Sequence, residues 1–227
     1  MANEEIQAIV NETFAGVTFF CRDTSLSEEL IGKYETNQLL LERGFTDVSY
    51  KVGGMGQNCR YLIASSKGKD MSVFSPNPEY GHIVIASGAY YKVLDIQQIN
   101  GKTQILLLNI PPQGLQLFAS TKFNIETQII AKGLESFQRS IATEPLPELQ
   151  AKGWVKRTAF PVGMNESGDF FLQPYEKSTL EPTANSETKD TAPANTPEHN
   201  PDGIKGDAKQ EKFTPKKGGI WSKLLGK

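Results

Sequence analysis

Residues 89–110, AYYKVLDIQQINGKTQILLLNI, decide the fold, because two apolar runs, Ala89 to Gln98 and Thr103 to Ile110, meet at Asn100-Gly101. Asn-Gly readily takes the positive φ angles of a tight turn whose twist suits antiparallel strands, so this stretch predicts a β-hairpin. Upstream of it, His82 to Ser87 reads as a strand ended at Gly88, after a loop from Ser75 to Gly81. Earlier still, Val48 to Val52 and Cys59 to Ser65 flank the turn candidate Gly53-Gly54-Met55-Gly56-Gln57-Asn58, and Lys67 to Asp70 turns into Met71 to Phe74. Consecutive hairpins of this kind imply an antiparallel meander.

Helices are expected on either side. Glu4 to Thr13 carries Ile6, Ile9 and Val10 on one helical face and leads to a strand over Val17 to Cys21. Ser25-Leu26-Ser27-Glu28 has capping-box spacing, and a stripe through Leu30, Ile31, Tyr34, Leu39, Leu40 and Leu41 predicts a long helix ending at Gly44. Past the hairpin, Leu115 to Ala119 reads as a short strand, and Ile125 to Ser140 as a helix with Ile129, Ile130, Leu134 and Phe137 inward. Trp154 to Val162 and Asp169 to Leu172 read as a last hairpin. The fold class that follows is α+β, an antiparallel meander sheet with two main helices packed on it and a disordered C-terminal tail.

Composition divides the chain. Of the whole sequence 38% is hydrophobic, crowded into residues 1–175, which form the single expected globular domain. Residues 176–215 are a polar linker rich in Thr, Pro, Asn, Glu, Asp and Lys, with too little apolar surface to offset chain entropy. Residues 216–227 then form a short basic amphipathic segment, KKGGIWSKLLGK.

The net charge of −2 argues against a phosphate footprint, so no nucleic acid is expected. The acidic start MANEE lacks the pattern of an export signal, and no run approaches the roughly 18 apolar residues of a membrane span. A cytoplasmic protein, with peripheral membrane contact as a variant, is the expectation.

Candidate chemistry is sparse. Gly53-Gly54-Met55-Gly56 has no following Gly-Lys-Ser or Gly-Lys-Thr and precedes a strand, so a turn or bulge outweighs a phosphate loop. Cys59 and His82 are the one plausible nucleophile and base in the body, but Cys59 starts a strand instead of sitting where its thiol would be activated. Two cysteines and two histidines do not make a usual zinc set, so neither metal nor cofactor is expected.

The tail end is the more informative feature. Ile220, Trp221, Leu224 and Leu225 fall on one face of a helical turn, with Lys223 opposite and Lys216, Lys217 and Lys227 flanking. These eight residues are the candidate partner- or membrane-binding residues, at about 1 kcal/mol per lysine near anionic lipid. The function implied is a non-enzymatic adaptor whose flexible tail presents this motif to a protein partner. The alternatives are a small hydrolase using Cys59 and His82, and a protein recruited peripherally to the membrane.

Overall fold

The Asn100-Gly101 turn forms as its residues dictate, with φ of 53° and 71°. It joins strand β7 (Ala89–Ile99) to β8 (Lys102–Ile110), antiparallel from Ile99↔Lys102 to Tyr90↔Ile110. The computed structural model of the chain describes residues 2–172, so every expectation placed on residues 176–227 lies outside the described part.

Before that hairpin come α1 (Asn3–Phe14), β1 (Thr18–Thr24), α2 (Glu28–Ile31), β2 (Leu39–Glu42), β3 (Thr46–Ser49), β4 (Cys59–Ser65), β5 (Lys69–Asp70) and β6 (His82–Ile85). After it come α3 (Leu115–Ser120), α4 (Asn124–Ile141) and α5 (Lys152–Arg157). The fold is α+β, and the eight strands form one sheet in the order β2-β7-β8-β4-β1-β3-β6-β5.

That order corrects the expected meander. β4 lies between β1, which it pairs antiparallel, and β8, which it pairs in parallel from Cys59↔Thr103 to Ala64↔Leu108, so the sheet is mixed. β3 and β4 do not pair, because β1 stands between them, and residues 53–58 therefore join separated strands instead of turning a hairpin. Central placement also explains why all seven residues of β4 are buried, Arg60 and Ser65 included, as in strands covered on both faces.

Further expectations are overturned: Lys69–Asp70, placed in a turn, is a strand paired with β6, and residues 72–74 turn where a strand was expected. The long helix over Leu30 to Leu41 stops after one turn, capped by Ser27, whose Oγ accepts from the Leu30 N–H at 3.2 Å. Asn37 takes φ 70°, and Leu39–Glu42 pairs with β7 instead, burying Leu40 fully. Leu115–Ser120 is helical, not a strand, entered through a turn at Pro112–Gly114. Lys152–Arg157 is helical too, with Trp154 buried, and of the last expected hairpin only the bridge Met164↔Phe170 exists.

The expected helices at the N-terminus and at Ile125 to Ser140 do form. Helices cover one face of the sheet: Ile9 and Phe14 of α1, Leu117 and Phe118 of α3, Ile129 of α4 and Trp154 of α5 pack on Cys21, Leu62, Leu106 and Leu108. Each such buried side chain contributes roughly 1.5–3 kcal/mol. The other face carries Phe20, Tyr61, Ile63, Tyr91, Val93 and Leu107, covered by Leu26, Tyr34, Val162 and Met164. Tyr34 Oη donates to the Val162 carbonyl at 2.7 Å and the Val162 N–H donates to Tyr61 Oη at 3.2 Å, which fixes residues 160–164 across that face.

Candidate functional site

β1 and β3 share a single residue pair, Cys21↔Ser49, and the chain after α5 fills the gap that opens beyond it. Thr24 Oγ1 donates to the Ala159 carbonyl at 3.0 Å, and Thr158 Oγ1 donates to the Asp23 carbonyl at 3.0 Å. Arg22, from the middle of β1, donates through Nη2 to the Phe160 carbonyl at 2.6 Å and through Nε to the Thr158 carbonyl at 3.4 Å.

Where these segments meet lies an open cleft of about 480 Å³, within the size range of small-molecule sites. It is lined by Arg22, Glu42, Phe45, Asp47, Arg157, Phe160 and Glu166 among others. Arg22 is only 5% exposed, forms no ion pair among the described residues, and its Nη1 makes no hydrogen bond there. A buried charge is ordinarily paired, so a guanidinium held by two carbonyls alone is left short of negative charge.

The carboxylates of the cleft are mostly spoken for. Glu42 accepts the Gly44 N–H and the Gly163 N–H, each at 2.8 Å. Asp47 Oδ1 bonds His82 Nε2 at 2.6 Å and accepts from Arg157 Nη1 at 3.4 Å. Glu166 has no hydrogen-bond partner among the described residues and lies exposed at the rim. Phe45 and Phe160 add two apolar rings, 65% and 53% exposed.

The pair Cys59 and His82 does not assemble. In the sheet β4 and β6 are separated by β1 and β3, and the register offsets Cys59 by three residues from the row of His82, which sets the two residues well over about 14 Å apart at ordinary strand spacing. Cys59 is fully buried, and burial pushes its thiol up to about 12, so it is a packed thiol at neutral pH. His82 heads β6, where the loop ending at Gly81 gives way to the strand, with its ring against Trp154 and its Nε2 on Asp47.

The glycine run is neither a hairpin nor a phosphate loop. It wraps a buried ion pair: Arg60 donates to the Gly53 and Gly54 carbonyls at 2.9 and 3.0 Å and to Asp23 Oδ2 at 2.8 Å, while the Gly56 N–H donates to the same carboxylate at 3.0 Å. A Cβ on Gly54 would fall 1.9 Å from the Thr143 carbonyl oxygen, which is why glycine stands there.

The candidate residues Lys216, Lys217, Ile220, Trp221, Lys223, Leu224, Leu225 and Lys227 all lie outside the described residues. Sequence reasoning passed over Arg22, Asp47 and Arg157, which the fold brings to one cleft. A signal did exist: Arg22-Asp23 continues the apolar strand Phe19-Phe20-Cys21, and alternation sends the two charges to opposite faces. Among the described residues no helix is long and apolar enough to cross a membrane, and no group of three or more His, Cys, Asp or Glu side chains is placed to hold a metal ion.

No protein-family model matches the chain, and no curated protein matches it. Solved structures do. The type III effector XopAI from Xanthomonas axonopodis pv. citri is 17% identical with a TM-score of 0.39, over 44% of this chain and 46% of its own. The ADP-ribosyltransferase HopU1 of Pseudomonas syringae pv. Tomato DC3000 is 17% identical with a TM-score of 0.39, over 41% and 45%. Vis toxin, an ADP-ribosyltransferase from Vibrio splendidus, is 16% identical with a TM-score of 0.36, over 44% and 51%. The chain thus spans about half the length of these structures, and so slight a likeness assigns it no activity. HopU1 and Vis are ADP-ribosyltransferases and not adaptors, and the adaptor expected from the tail, which lies outside the described residues, is not retained.

Proposed function

We propose that the described body is the ligand-binding part of an enzyme, and that its cleft takes an organic anion bearing a planar ring, of which a nucleotide is a simple example. The observation that carries this reading is Arg22, buried, lining the cleft, and without an acidic partner among the described residues. An anionic group seated on its fork supplies the missing negative charge through charge-assisted hydrogen bonds. The ring of the ligand covers Phe45 and Phe160, whose exposed faces otherwise remain wet. Glu166 is the carboxylate left to take a proton from an attacking group.

Calorimetric titration with AMP tests this. Arg22→Met is expected to weaken AMP by about tenfold or more, and Phe160→Ala by a smaller factor without a change in melting temperature. Glu166→Gln is expected to keep binding while slowing turnover of a nucleotide substrate by about a hundredfold or more. AMP affinity that is undetectable in the native protein, or equal in Arg22→Met, overturns the reading.

A further inference from the structure

Two guanidiniums line the cleft, and they are held very differently. That of Arg22 is buried and fixed by the Phe160 carbonyl at 2.6 Å, with the Thr158 carbonyl, of the residue next to Arg157, farther off at 3.4 Å. That of Arg157 has a side chain 52% exposed, and its ion pair with Asp47 is long, at 3.4 Å. Strong charge-assisted bonds of this type run about 2.7–2.9 Å, so the Arg157 contact is weak and easily exchanged.

Asp47 does not depend on that contact. Its Oδ1 is anchored at 2.6 Å by His82 Nε2, its side chain is 18% exposed, and His82 is wedged against Trp154 of α5. Asp47 therefore stays in place whether or not Arg157 is with it. It is a built-in anion beside an exposed, loosely paired cation, and the remaining lining carboxylates do not compete for that role. Glu42 is occupied by two backbone N–H groups, and Glu166 forms no ion pair among the described residues.

We infer that Asp47 sets the charge specificity of the cleft: it holds Arg157 at the rim and yields it to a second acidic group of the ligand. This rests on the reading that the cleft takes an anion at Arg22. A ligand with one acidic group engages Arg22 alone and leaves the Arg157–Asp47 pair intact. A ligand with two displaces Asp47 from Arg157, and its net gain is the difference between the new pair and the old one. Asp47 and Arg157 are positioning and specificity residues in this scheme, with no covalent step.

The test is a pair of titrations, AMP against ADP, on the full chain and three variants. The native protein is expected to prefer ADP by about threefold to tenfold. Arg157→Gln is expected to bring the ADP/AMP preference to about one while leaving AMP within about twofold. Asp47→Asn is expected to tighten ADP by about threefold or more, and the double variant to lose that gain. Equal preference in native protein and Arg157→Gln overturns the inference while AMP binding leaves the cleft reading standing. Failure of both nucleotides on the native protein sinks the cleft reading itself. Should Asp47→Asn not fold, the preference measured in Arg157→Gln, an exposed site, decides alone.

Discussion

Arg22 and Arg60 belong to adjacent steps of the β1–β4 ladder, where Arg22 pairs with Tyr61 and Asp23 with Arg60. Both are buried, yet alternation sends them to opposite faces of the sheet. On the helical face Arg60 meets Asp23 and two glycine carbonyls, so its charge is neutralised and every partner belongs to the fold. On the other face Arg22 meets carbonyls only and borders open space. The contrast teaches that burial of an arginine does not by itself mark a site. What separates a structural guanidinium from a binding one is whether the protein supplies the counter-charge.

The largest effect should come from breaking the compensated member. Asp23→Ala leaves Arg60 buried without its carboxylate and is expected to cost about 3–5 kcal/mol in urea unfolding, whereas replacing Asp23 and Arg60 together with apolar residues should cost less. Next comes the glycine wrap, since Gly54→Ala pushes a methyl into the Thr143 carbonyl and pulls the loop off Arg60, for a loss of about 2–3 kcal/mol. Arg22→Met should change stability by only about 1 kcal/mol, because losing a donor to two carbonyls is offset by removing an unneutralised charge. A loss as large as that of Asp23→Ala would erase the distinction drawn between the two arginines. Arg157→Gln, at the exposed rim, should stay within about 0.5 kcal/mol.

The strands that carry both arginines also carry Cys21 and Cys59, whose thiols burial pushes up to about 12 from 9. Unfolded thiols ionise from about pH 8.5 upward while the folded ones stay protonated, so this contribution is intact below that pH and is lost as pH rises toward 12. Thermal melts should show alkaline destabilisation beginning there, and a thiol reagent at neutral pH should label neither cysteine before unfolding.

The hairpin at residues 89–110 was legible because its turn chemistry is local, and α4 because its apolar stripe keeps a helical period over 18 residues. β2 was not, because Leu39-Leu40-Leu41 fits either period and is settled by pairing with β7 far along the chain. Trp154-Val155-Lys156-Arg157 alternates like a strand but forms a helix whose buried indole packs on His82 and Tyr80. The β4–β8 parallel pairing has no local signature at all. Arg22, Asp47 and Arg157 come from well-separated segments, and the missing counter-ion of Arg22 is a property of three-dimensional surroundings that no spacing rule encodes.

The place of β4 between an early neighbour and a late one has a consequence for biosynthesis. Until Lys102 to Ile110 has left the ribosome, one whole margin of β4 presents unsatisfied amides and carbonyls on a ribbon destined for the interior. Nascent chains halted before that point should be the species that chaperones hold and that clump when they are absent.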